Sequence, residues 1–181
     1  IPHFNDSKNL EKAINSIFSQ TIEVNEILII DDNSNIFNKN NLKELKKKFS
    51  SKKIRVIFQN VNLGACHCRN IGFYKAKSKF IALLDSDDTW MKDKLEKQIS
   101  YMLNNNLVFS CTSYEILNIF NNTSKNPKIM RYKEKIKKKD LVWGCFLSPG
   151  STAIIEKNFL FDNNLFQNEN LRRLEDWDWL I

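Results

Sequence analysis

The chain has 181 residues, 42% of them hydrophobic and 13 of them Phe, enough apolar material for one sizeable core and hence one domain. Its formal net charge of +7 is a weak pointer to polyanions, because the lysine runs at residues 46–48 and 137–139 read as solvated faces. Nucleic acid is not an expected partner, whereas peripheral contact with anionic lipid headgroups fits the surplus. The longest apolar runs, residues 27–30 and 80–84, are far too short to cross a bilayer. Of the four cysteines, Cys66 and Cys68 flank His67 without zinc-ligand spacing or a second pair, so buried thiols in a reducing cytoplasm are expected. The opening Ile1-Pro2-His3-Phe4, without an initiator Met, and the apolar close Trp177-Asp178-Trp179-Leu180-Ile181 read as a piece cut from a longer protein at both ends.

In chain order, Asp6 or Ser7 caps a helix over residues 8–20, whose Leu10, Ala13, Ile14, Ile17 and Phe18 share one face. An apolar run at 26–30 predicts a strand ending in Asp31-Asp32-Asn33-Ser34. A helix over 39–49 and a strand over 54–58 follow, then a loop with Asn60, Asn62 and Gly64 and a helix over 65–76. The strand at 80–84 ends in Asp85-Ser86-Asp87-Asp88. Unbroken apolar strands alternating with helices predict an α/β fold, a Rossmann-like sandwich with a mostly parallel central sheet flanked by helices. Beyond Trp90 the pattern loosens into a helix over 92–105, a strand over 107–117 and an Asn-rich loop at 118–127. A basic helix over 133–142, a short strand at 151–155 and a helical segment over 169–181 complete the chain.

Ligands of open parallel sheets bind beyond the carboxyl ends of the strands. Polar residues gather at three such ends: Asn5-Asp6, Asp31 to Ser34, and Asp85 to Asp88. Asn62, Gly64 and Arg69 join them from the loop and helix after the third strand. Three carboxylates within four residues repel one another unless they share a cation, and a divalent ion carrying a phosphate is one reading. A solvated loop in which Asp88 or Thr89 caps the next helix is the other. Glu175-Asp176 is open to the same division, between chemistry and acids placed at a helix start by its dipole. No G-x-G-x-x-G and no G-x-x-x-x-G-K-[ST] occurs, which argues against a dinucleotide enzyme and a P-loop ATPase.

The segments IPHFND, SQT, IIDDNS, N-x-G followed by CRNIG, LLDSDDTW and LEDWDW occur in this order. Together they resemble a family-2 glycosyltransferase of the GT-A fold, over essentially the whole chain, with the family's first strand and C-terminal continuation missing. The resemblance implies that Pro2, Phe4 and Asn5 line a nucleotide pocket and that Asp32 accepts hydrogen bonds from the base. Asn62 and Arg69 would lie near the nucleotide or diphosphate. Asp85, Asp87 and Asp88 would form the D-x-D-type site: one carboxylate on the ribose, and Asp87 and Asp88 holding Mg2+ or Mn2+ against the diphosphate. In Glu175-Asp176, Asp176 would be the general base of an inverting transfer. The segment at 148–152 would approach the acceptor, and Trp177 and Trp179 either stack on it or pack in the core. Residues 1–90 would then be the nucleotide-sugar half and 91–181 the acceptor half. The implied reaction moves a sugar from a nucleoside diphosphate sugar, chiefly a UDP-sugar, to a hydroxyl of a saccharide or lipid-linked acceptor. Its setting would be surface polysaccharide or lipopolysaccharide synthesis, in the cytoplasm at the inner face of a membrane. The alternatives are a catalytically silent nucleotide-sugar-binding module and a sugar nucleotidyltransferase; the latter's Gly-rich basic loop is not found after Pro2.

Overall fold

The computed structural model describes residues 1–49, 53–117, 128–131, 136–141, 147–171 and 173–180. The expected loop at 118–127 and much of the expected basic helix at 133–142 lie outside them. Strand β1 (Pro2–His3) leads into helix α1 (Ser7–Phe18), which starts where Asp6 accepts the Asn9 N–H. Leu10, Ala13, Ile14 and Ile17 of α1 are buried at helical spacing against β2 (Ile27–Asp31) and β3 (Ile54–Phe58). Helix α2 (Ile36–Lys48) begins earlier than the predicted residue 39, because the Asn35 side chain caps it by accepting the Asn38 N–H. β1, β2 and β3 form one parallel sheet in that order, with Ile30 opposite Pro2 and Ile57.

Helix α3 (Ala65–Lys75) crosses to β4 (Phe80–Ala82), and α4 (Lys94–Asn104) follows. β4 stops short of the predicted residue 84, although the Leu83 N–H still reaches the Ala153 carbonyl at 3.1 Å. The single strand predicted at 107–117 is two: β5 (Phe109–Ser110) and β6 (Tyr114–Ile116). Gln98 of α4 donates to both the carbonyl and the hydroxyl of Ser110, the last residue of β5. β6 pairs with β7 (Lys128–Met130), a strand the sequence did not predict. After α5 (Lys138–Leu141), the strand predicted at 151–155 gives way to a four-residue helix, α6 (Pro149–Thr152), and β8 (Ile154–Glu156). Pro149 suits a first helical turn, where its missing N–H has no partner to lose, and Thr152 Oγ1 donates back to the Leu147 and Ser148 carbonyls. α7 (Lys157–Asp162), also unpredicted, precedes α8 (Glu175–Leu180). The predicted last helix starts only at 175, and residues 167 and 169 are instead bonded to Asn70 of α3.

The second half is antiparallel: β8 runs between β4 and β5, with Ile154 opposite Ala82 and Ser110. Parallel pairing is thus confined to β1, β2 and β3 among the described residues. An apolar cavity of about 280 Å³, lined by Leu28, Phe73, Ala82, Trp90 and Ile154 among others, separates the two halves. Trp179 packs within the core, stacked on Phe73 at 5.9 Å and edge-on to Phe109 at 5.7 Å, with its indole N–H on the Leu165 carbonyl. Of the two roles open to Trp179, the geometry is that of core packing.

Candidate active site

The carboxyl ends of β1 and β2 form the first wall. Asp31 is fully buried and accepts from His3 Nδ1 at 2.9 Å and from the Ser34 N–H at 3.1 Å. His3 Nε2 in turn accepts the Asp6 N–H, which fixes the neutral tautomer with its proton on Nδ1. Asn5 takes a left-handed backbone (φ 54°), donates its N–H to Ser34 Oγ and accepts the Asn35 N–H, so the two strand ends are stitched together. Asp32 is buried and bidentate on the Leu63 and Gly64 N–H groups, both at 2.8 Å. Gly64 accommodates this at φ 97°, a conformation that favours glycine. Asn62 donates to the Asp32 carbonyl. The sequence-predicted Pro2, Asn5, Asp32 and Asn62 are therefore brought together, and Phe4 stands exposed at their edge.

The second wall is built on α6. Ser151 Oγ accepts the Asp85 N–H at 3.0 Å and donates to Asp88 Oδ2 at 2.6 Å. Trp90 Nε1 donates to the Ser151 carbonyl, and Gln98 to that of Thr152. Gly150 lies so close to the site that a Cβ on it would overlap Asp85 Oδ2 and come within 2.8 Å of Arg69 Nη2.

Arg69 joins the walls. Its Nη2 donates to Asp85 Oδ1 at 2.7 Å, and its Nη1 reaches Asp176 at 3.5 Å, Glu175 at 3.9 Å and Gln167 at 3.3 Å. The Arg69 side chain is 4% exposed, whereas those of Asp85 and Asp176 are 31% and 27% exposed, so a buried cation holds two acids whose faces stay open. Burial works against the Arg69 charge, but Asp85 and Asp176 outweigh it and the guanidinium stays protonated above its ordinary value. Asp176 sits above the usual carboxylate range: burial raises it, Arg69 opposes, and Asp85 and Glu175 raise it further. Asp87 is likewise raised, by burial first and then, against a bond from its own backbone N–H, by Asp88 and Asp85.

Mutual repulsion among Asp85, Asp87 and Asp88 is relieved by a shared cation, so the chemistry of these donors fits a hard divalent ion. Among the described residues no three or more His, Cys, Asp or Glu side chains converge on one point. The fit is to an ion held by one or two carboxylates and completed by substrate phosphate and water.

Some positioning residues carried no sequence signal. Asn70 donates to the Gln167 carbonyl and to Glu169 and accepts the Gln167 N–H, while His67 Nδ1 contacts Glu169 at 2.8 Å. These bonds hold residues 167–169 on α3 and thereby set the approach to Glu175-Asp176. They span about a hundred residues of sequence, and polar residues after a helix read locally as loop. The backbone is left-handed at Ser148 (φ 46°) and Leu174 (φ 60°), one at the start of α6 and the other just before α8. Neither residue type favours that region; each costs on the order of 1–3 kcal/mol, and such positions cluster where function constrains the chain. Cys66 and Cys68 point to the Leu171 carbonyl and to Asp32, and burial pushes their thiols up to about 11 and about 12.

A carboxylate-rich strand end set between a parallel half and an antiparallel half is the layout of a GT-A glycosyltransferase. Solved structures share it. Staphylococcus aureus TarS 1–349 in complex with UDP superposes with a TM-score of 0.75 at 21% identity, covering 98% of this chain and 52% of that one. The mannosyltransferase PcManGT of Pyrobaculum calidifontis, in complex with GDP-Man and Mn2+, gives 0.69 at 12% identity over 98% of this chain and 48% of that one. The chain thus spans about half the length of these structures. The model for glycosyl transferase family 2 matches residues 1–161, and the chain belongs to that family. Escherichia coli WfgD is 32% identical over 182 residues, 91% of this chain and 70% of that protein. Its name describes a β-1,3-glucosyltransferase acting from UDP-Glc on α-D-GlcNAc-diphosphoundecaprenol.

Proposed function

We propose that the chain is the donor-binding and catalytic part of an inverting, metal-dependent glycosyltransferase that uses a UDP-sugar. The observation that carries this reading is Arg69, which links a carboxylate of the donor-side triplet to Asp176 through one guanidinium. Residues 1–90 act as the nucleotide-sugar half and residues 91–181 as the acceptor half. Pro2, Phe4, Asn5 and Asn62 line the nucleotide pocket. Asp32 keeps lone pairs for a pyrimidine N–H beyond the two it commits to Leu63 and Gly64.

Asp85 and Asp87 face the ribose and phosphates, and Asp87 and Asp88 would hold Mg2+ or Mn2+. The bound ion would supply charge neutralisation for the departing diphosphate. Asp176 takes the proton from the acceptor hydroxyl as that oxygen attacks C1 from the face opposite the diphosphate. The C1–O bond to the diphosphate breaks with its electron pair, so the configuration at C1 inverts. Arg69 holds the Asp176 carboxylate in place for this transfer. The name of WfgD supports a lipid-linked or saccharide acceptor in surface polysaccharide synthesis. Among the described residues no helix is long and apolar enough to cross a membrane. A cytoplasmic site of action at the inner membrane face, with peripheral contact, accords with such an acceptor.

Calorimetric titration of UDP, with and without Mn2+, tests this. Mn2+-dependent binding that vanishes in Asp87→Ala plus Asp88→Ala is the expected result. A folded wild-type chain that binds none of UDP, GDP or dTDP in either condition would overturn it.

A further inference from the structure

The short helix α6 bonds directly to the carboxylate turn at residues 85–88. Ser151 Oγ contacts both ends of that turn, accepting the Asp85 N–H and donating to the Asp88 carboxylate. The Ser151 hydroxyl has a single proton, and its direction is determined. The Asp85 N–H can only donate, so it occupies an Oγ lone pair, and the Ser151 proton is left for Asp88 Oδ2. At 2.6 Å this has the length of a charge-assisted bond to an ionised carboxylate. Ser151 is itself buried and anchored, with its carbonyl on Trp90 Nε1 at 2.8 Å and its turn closed by Thr152 Oγ1.

We propose that Ser151 is a positioning residue for divalent-ion binding: it ties down Asp88 Oδ2, fixes the carboxylate plane and leaves Oδ1 as the ligating oxygen. This rests on the reading of Asp87 and Asp88 as the ion's protein ligands. The same hydroxyl registers the start of the Asp85–Asp88 turn through the Asp85 N–H, so one side chain sets both the turn and the rotamer within it. Hydrogen-bond partners that orient a metal ligand are worth about 10–100-fold in metal affinity.

The test is a Mn2+ titration of the 181-residue chain at saturating UDP, following the loss of the free-ion paramagnetic resonance signal. Thermal unfolding of each variant is recorded alongside. Ser151→Ala is expected to weaken Mn2+ binding about 10–100-fold. Ser151→Thr retains the hydroxyl and should return to within a few-fold of wild type. The proposal is overturned if Ser151→Ala stays within about twofold of wild type, or if Ser151→Thr loses as much as Ser151→Ala. A wild-type chain with no Mn2+-dependent UDP binding would instead remove the metal-site reading beneath it, a result the variants do not mimic.

Discussion

Two strand ends of this molecule carry adjacent aspartates, and they are built in opposite ways. At the end of β2, Asp31 is enclosed by His3 and the Ser34 N–H, and Asp32 by the Leu63 and Gly64 N–H groups. Every one of those carboxylate oxygens has a fixed donor before any ligand arrives. Past the end of β4, Asp85 and Asp88 have one guanidinium and one hydroxyl between their side chains, and Asp87 is pushed up by burial and by its neighbours' charge. Fixed donors make the first pair part of the architecture. Their scarcity leaves the second set able to gain from a cation, and the free energy of that gain is binding rather than folding.

The sharpest way to break this contrast is at the acid the second set is linked to. Asp176→Asn keeps the size and a contact to Arg69 but removes the proton acceptor. Turnover of a UDP-sugar should fall about 10²–10⁴-fold while the UDP dissociation constant stays within a few-fold. Single-turnover kinetics beside calorimetry separates the two. A variant that retains turnover would show that the base lies elsewhere. The next largest effect is on stability and should divide the strand ends. Asp32→Ala strands two buried N–H donors and is expected to cost on the order of 3 kcal/mol in urea unfolding, whereas Asp88→Ala should change stability by less than about 1 kcal/mol. Equal losses from the two substitutions would mean that both ends are structural.

Much of the first half was legible in the sequence because its signals are local. β2 and β3 are five-residue strands with four apolar residues each, and α1 repeats its buried Leu10, Ala13, Ile14 and Ile17 at helical spacing after a capping Asp6. The second half was not, because its strands are two or three residues long and gain their identity from partners far away. Ser110 ends β5 under a bond from Gln98 of a distant helix, and a Ser-Thr-Ala run that looks like a strand is bent into α6 by Pro149 and by the Thr152 hydroxyl. The aspartates after the strands stood out because clustered like charges repel, whereas Glu175-Asp176 stood out through the family resemblance, since a helix start favours acids in any case. What fixes their geometry did not stand out: Gly150 is small because Asp85 and Arg69 fill the space its Cβ would need, a fact no local pattern encodes.

Lys94 extends the contrast to a charge with neither fixed partners nor an opening. Its amine is buried over the Trp90 ring at 4.1 Å and has no hydrogen-bond partner among the described residues. Burial lowers it from 10.5 to about 7, with a smaller opposing effect from Cys111. Between those two values the unfolded chain binds more protons than the folded one, so stability rises with pH across that window and the penalty is complete below it. Lys94→Met should therefore stabilise the protein at pH 6 by roughly 2–4 kcal/mol, and the gain should fade towards pH 10. Urea unfolding at the two pH values checks this. A gain of the same size at both would assign it to packing alone.

The smallest effect is also the most specific to one carboxylate. Asp176 must be ionised to accept a proton, and burial together with Asp85 and Glu175 holds it above the ordinary aspartate range against the pull of Arg69. The acid limb of kcat/KM should accordingly lie above the pH at which an exposed aspartate titrates. Glu175→Gln removes one like charge beside Asp176 and none of those that raise Asp87, whose neighbours are Asp88, Asp85 and Asp6. Losing a like charge favours the ionised form, so the limb should move to lower pH, with kcat on the alkaline plateau little changed. Arg69→Gln should move it the opposite way. A limb that ignores Glu175→Gln but follows changes at Asp88 would locate the titrating group in the donor-side triplet. The difference between the two sets would then be one of metal binding alone, with proton transfer placed outside both.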